Sequence, residues 1–88
     1  MYNIAIKPAL DKTFLKMSKK DPKILKIIYK KIEMIAINPH RFKNLRAPLN
    51  DWKRVHIDRN FVLAFSVDER TKTVILEDFD HHDYIYEK

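Results

Sequence analysis

Apolar positions along the chain switch between two periods, and the switches mark the elements. From Tyr2 to Lys7 they alternate, with Ile4 and Ile6 on one face, and the run stops at Pro8. Period two over so few residues predicts a short strand. From Ala9 to Lys20, Leu10, Phe14 and Met17 recur at helical spacing with Leu15 beside them, which predicts an amphipathic helix. Lys19 and Lys20 close it, as the negative end of a helix dipole favours. Asp21-Pro22 then combines an N-cap residue with proline in the first turn, a second helix start. Leu25, Ile28, Ile32 and Ile35 form its apolar stripe, broadened by Ile24 and Ala36, while Lys23, Lys26, Lys30 and Lys31 lie mostly off it. The helix should stop at Asn38-Pro39, because the residue before proline is disfavoured in the α region. A helical hairpin joined at Lys20-Asp21 results.

His40 to Asp51 reads as a connecting loop around Leu45, Pro48 and Leu49. Period two then returns three times. Trp52 to Ile57 places Val55 and Ile57 on one face and Trp52, Arg54 and His56 on the other. Phe61 to Val67 sets Phe61, Leu63, Phe65 and Val67 against Val62, Ala64 and Ser66. Thr73 to Phe79 forms the last strand, after turns at Asp58-Arg59-Asn60 and Asp68 to Lys72. The order βααβββ predicts an α+β fold, a small antiparallel sheet of three or four strands with the hairpin packed on one face. The other face is expected to be open to solvent and concave, with small residues on the middle strand, and so to serve as a binding surface.

Composition narrows the field. At 88 residues the chain is expected to form one domain spanning its whole length. It has no glycine, which excludes a P-loop or a dinucleotide fingerprint, and no cysteine, which excludes disulfides and thiolate metal sites. The first residues lack the apolar stretch of a signal peptide, and nothing approaches the roughly 20 apolar residues of a membrane span. A cytoplasmic protein that does not engage membranes is expected. Eighteen Lys and Arg against twelve Asp and Glu give a net charge of +6, which favours a polyanionic partner.

The chemistry concentrates in Asp78-Phe79-Asp80-His81-His82-Asp83-Tyr84-Ile85-Tyr86, where imidazole, carboxylate and phenol crowd the end of a strand. Histidine exchanges protons near neutral pH and tyrosine or aspartate can position or donate. Arg54 and His56, with Lys53 and Arg59 nearby in sequence, would converge on that segment if their strand neighbours it. Such a patch could bind a phosphodiester and stabilise charge developing on its oxygens. Bland readings stand beside these: the histidines as strand-end caps, Tyr84 and Tyr86 as half-buried anchors, Trp52 as edge packing, the helix lysines as a solvated face. A metal held by Asp80, His81, His82, Asp83 and His56 is not expected, since adjacent histidines on an extended chain point apart.

The order of elements, Asn38-Pro39 after the second helix, the Leu45-to-Leu49 loop, the strand Trp52-Lys53-Arg54-Val55-His56-Ile57 and the ending His81-His82-Asp83-Tyr84-Ile85-Tyr86 together resemble the RelE/ParE superfamily of toxins. The resemblance spans nearly the whole chain. It implies a ribosome-dependent endoribonuclease that cuts mRNA by 2′-hydroxyl attack, without metal or other cofactor, and that a cognate antitoxin neutralises in a hetero-oligomer. In that frame Lys53 matches a family lysine on the second strand, His82 stands where many members have arginine, and Tyr86 matches a terminal tyrosine. His82, with His81 as partner, would transfer protons. Arg54 and Lys53 would stabilise charge, Tyr86 would orient the nucleotide, and Arg59 and His56 would help bind RNA. Two departures stand out: Val62 replaces an arginine of the third strand, and Arg59-Asn60 replaces a turn glycine. These keep two alternatives in view, a ParE-like toxin that inhibits gyrase and a weakened toxin that mainly binds its antitoxin.

Overall fold

The computed structural model describes residues 1–85. Its elements run β1 (Asn3–Ile6), α1 (Pro8–Lys20), α2 (Pro22–Ile37), a 3-10 turn (Pro39–Arg41), β2 (Lys53–Ile57), β3 (Phe61–Asp68), β4 (Thr73–His81) and α3 (His82–Ile85). Asp21 serves both long helices. Its N–H donates to the Met17 carbonyl to close α1, and its carboxylate accepts from the Ile24 N–H to open α2. Pro22 follows in the first turn, where a missing N–H costs nothing.

The strands lie in the order β1-β4-β3-β2. β1 pairs in parallel with β4, while β2 with β3 and β3 with β4 are antiparallel. The sheet is therefore mixed, not antiparallel throughout as expected. The hairpin carries the chain across the sheet from one edge to the other, so the first strand meets the last; alternation reveals that a strand exists but not which strand it joins.

The main core lies between hairpin and sheet. Leu10 and Phe14 of α1 and Leu25, Ile28 and Ile35 of α2 pack on Val55, Ile57, Leu63, Phe65, Val74 and Leu76. The opposite face departs from expectation. Instead of lying open, Val62 and Ala64 are fully buried in a second cluster with Leu45 and Ile85, against which Leu49 and Trp52 pack. The cover comes from the loop before β2. It folds back on itself through the Leu45 N–H to the Trp52 carbonyl (2.8 Å) and the Trp52 N–H to the Leu49 carbonyl (3.0 Å), and so turns its leucines and tryptophan onto the sheet. Small side chains on β3 mark a place where other segments come close.

With no glycine in the chain, two of the described residues take the left-handed conformation at turns: Asp58 (φ 55°) and Lys72 (φ 52°). Aspartate tolerates it, and Lys72 is held by contacts around Glu69. The Glu69 carboxylate accepts from Tyr2 Oη (2.6 Å) and Lys72 Nζ (2.7 Å), and His40 Nε2 also meets it. This cluster ties β1, the 3-10 turn and the β3–β4 turn together at the sheet edge remote from β2. Hydrogen bonds from Lys72, then Tyr2, then His40 hold Glu69 down at about 2, from an ordinary 4.5. Because the folded value is depressed, the carboxylate's contribution is fully present above pH 4.5 and is lost as pH falls from there towards 2. Denaturant titrations at stepped pH should therefore show a shallower loss of stability across that window for Glu69→Gln than for the wild type. Equal slopes would mean that the cluster does not act in this way.

Candidate active site

Alternation along β2 turns Val55 and Ile57 into the main core and leaves Arg54 and His56 on the opposite face. β2 and β4 are not neighbours, since β3 lies between them. What joins them is α3. The His82 N–H donates to the Asn60 carbonyl in the β2–β3 turn (2.7 Å), and the His82 ring stacks on His56 with centroids 5.6 Å apart and planes 21° from parallel. Two distant parts of the sequence thus meet: β2, with Arg54 and His56 on one face, and His82 of α3.

Electrostatics separate the two imidazoles. Partial desolvation, then the Arg54 guanidinium, then His82 push the His56 pKa below the ordinary 6.5. Asp83 sits on the other side of the pair, with Oδ1 3.7 Å from His82 Nδ1 and Oδ2 3.7 Å from His81 Nδ1. That places one carboxylate within ion-pair reach of both rings. Sequence reasoning allowed an aspartate of this stretch to position a neighbour but did not single out Asp83, which directly follows the histidine pair. Nor did it single out the Asn60 carbonyl or Ile85, whose spacing from His82, one helical turn, is the only trace of its role.

The remaining expected residues scatter. His81 diverges from His82: it pairs in register with Phe61, its ring meets Phe61 edge-on at 5.9 Å, and its Nδ1 accepts from the Asp83 N–H (3.2 Å). Lys53 pairs with Phe65 and lies on the helix side of β2. There its ammonium donates to the Phe42 carbonyl (3.2 Å) and Asn44 Oδ1 (3.0 Å), pinning the loop to the strand. Arg59 is exposed in the β2–β3 turn, beside Asn60. Tyr86 lies outside the described residues. Tyr84 is 57% exposed, so it is not the half-buried anchor expected; the neighbouring Ile85 takes the buried place. Trp52 packs on the second cluster.

The sheet face is electrically divided. Along β4, Asp78 and Asp80 pair with Ala64 and Val62, and each carboxylate accepts from the next residue's N–H, at 2.9 and 2.7 Å. Positive charge lies across β3, at Arg54. Such a division favours an anion at the corner between β2 and α3 over one beside β4. The lysines of α1 and α2 lie on the far side of the sheet. Among the described residues, no three of His, Asp and Glu gather as a metal site would require, and no helix is long and apolar enough to cross a membrane.

Known proteins share this architecture. The S. aureus YoeB toxin, solved as the YoeB–YefM complex, superposes with a TM-score of 0.77 over 93% of this chain and 98% of that one, at 17% identity. The toxin–antitoxin complex RelBE2 of Mycobacterium tuberculosis contains a chain that matches with a TM-score of 0.75 over 92% and 98%, at 20% identity. These likenesses concern the fold. No family model matches the sequence. A Methanocaldococcus jannaschii protein named "Putative toxin RelE4" is 65% identical over 88 residues, all of this chain and 94% of its own length. With that identity running end to end over a fold shared with YoeB and RelE toxins, this chain belongs to the RelE/ParE superfamily of toxins.

Proposed function

We propose that this toxin is an endoribonuclease that cuts messenger RNA on the ribosome and is restrained by a cognate antitoxin. The observation that carries the reading is the stacked His56–His82 pair beside Arg54. Cleavage by internal attack needs a base, an acid and positive charge near the phosphate. Neutral His56 takes the proton of the 2′-hydroxyl, whose oxygen attacks the adjacent phosphorus. The bond from phosphorus to the 5′-oxygen breaks, and His82, beside Asp83, gives its proton to the departing oxygen. The products are a 2′,3′-cyclic phosphate and a 5′-hydroxyl. Arg54 stabilises the charge on the non-bridging oxygens, a task it assumes because position 62 carries no arginine. Lys53, occupied with the loop on the other face, supports the fold in this scheme. Likenesses to toxins solved as complexes with their antitoxins support the antitoxin as partner. Val62 in the place of the family's arginine favours a second reading, a binding toxin that blocks gyrase.

His56→Ala and His82→Ala should each slow ribosome-dependent cleavage about 10²–10⁴-fold, with less than the product of the two losses in the double variant. Primer extension on translated message, at matched folded concentration, measures this. Variants that cut like the wild type would remove the pair from the chemistry. A wild type that leaves message intact but blocks supercoiling by gyrase would establish the second reading.

The pH dependence follows from His56. Its pKa is lowered, so the neutral base accumulates as pH rises through a midpoint below 6.5. Single-turnover cleavage should rise along an acid limb centred below that value, and His56→Gln should abolish the limb. A limb centred above it would assign the base to another group.

A further inference from the structure

The described part of α3 is four residues, His82–Ile85. One helical turn contributes little stability of its own, because isolated helices below about 12–15 residues are marginal in water. Its position must therefore come from what it touches. Among its described side chains, Asp83 and Tyr84 are exposed, His82 is partly so, and Ile85 is buried. Ile85 is 0% exposed, as are Val62 and Ala64 of β3, with which it shares the second cluster. One helical turn earlier, the His82 ring lies on His56, which pairs across the sheet with the same Val62. Val62 thus touches both ends of the arrangement, as the cross-strand neighbour of His56 and as the floor beneath Ile85.

We propose that Ile85 is the positioning residue of the imidazole pair: seated on Val62 and Ala64, it fixes the helix that carries His82 over His56. The hydrogen bond from the His82 N–H to the Asn60 carbonyl holds the start of the helix, and the buried Ile85 holds it one turn further on. The valine at 62 then has a purpose. It gives up a guanidinium on the sheet face and supplies the apolar floor that a long charged side chain would not. The catalytic consequence rests on the ribonuclease reading, whereas the placement of His82 does not, and the experiment separates the two.

Proton NMR of the histidine rings reports the stack directly. The groups facing His56 are Arg54 on its own strand, His82 of α3 with Asp83 beyond it, and, across Val62, Asp80 of β4. Releasing α3 removes the His82 charge and part of the desolvation, so the His56 midpoint should move up towards 6.5. Ile85→Ala should show that rise, together with loss of the ring-current shift between the two imidazoles. Its cleavage rate should fall about 10²-fold with KM little changed, as misplacement of a catalytic group predicts. Ile85→Val, which keeps most of the apolar contact, should retain the wild-type titration and most of the rate. Val62→Ala opens the same contact from the sheet side and should reproduce the Ile85→Ala shifts, which decides the matter even if Ile85→Ala fails to melt cooperatively. Unchanged His56 titration and ring-current shifts in a folded Ile85→Ala or Val62→Ala would overturn the proposal. A wild type that never cleaves would sink the ribonuclease reading alone, leaving the titrations to decide where α3 is anchored.

Discussion

The middle of strand β3, Val62 to Phe65, is sealed from water on both faces, and the rest of the structure is arranged around that burial. Leu63 and Phe65 face the helical hairpin, while Val62 and Ala64 face a second cluster built from the loop before β2 and from α3. A strand buried on both sides needs cover on both. The helices provide one cover with their long apolar stripes. The other is assembled from small pieces: Leu45, Leu49, Trp52 and Ile85. Because the last of these pieces is also the helix that carries His82, the burial that completes the second cluster also builds the candidate active site.

The same arrangement divides the charge. Helix lysines occupy the outer surface of the hairpin, and β4 carries its aspartates on the sheet face with their oxygens engaged by backbone N–H groups. Arg54 and the two stacked imidazoles stand at the remaining corner. Desolvation, then Arg54, then His82 press His56 towards its neutral form, while Asp83 lies 3.7 Å from His82 Nδ1. Two titratable groups of one kind in unlike surroundings are the condition under which one can act as base and the other as acid.

Much of the fold was legible in the sequence because its signals are local. The stripe from Leu25 to Ile35, the Asp21-Pro22 start and the Asn38-Pro39 stop depend on neighbours within a few residues, and so does the alternation of Val55 and Ile57. The parallel pairing of β1 with β4 was not legible, because Ile4 and Ile6 alternate in the same way beside any strand. Nor was the cover on the second face, since nothing in Leu45 or Ile85 says which side of a sheet they will meet. The candidate site divides along the same line. His56 and Arg54 on the free face of β2 followed from period two. Lys53, grouped with them by proximity in sequence, alternates to the other face, and the partner that meets His82 is His56 across the sheet, with His81 turned away. The resemblance supplied the family, and only the tertiary arrangement supplied the pairing.

In the proposed reaction at the His56–His82 corner, the RNA's own 2′-oxygen is the nucleophile. The most direct test replaces one nucleotide at a mapped cut site in a translated message with its 2′-deoxy counterpart and analyses the ends. The account predicts that the unmodified message yields 2′,3′-cyclic phosphate and 5′-hydroxyl ends, and that the single substitution abolishes cutting at that position alone. Cleavage that persists at the 2′-deoxy position, or that leaves 5′-phosphate ends, would contradict it.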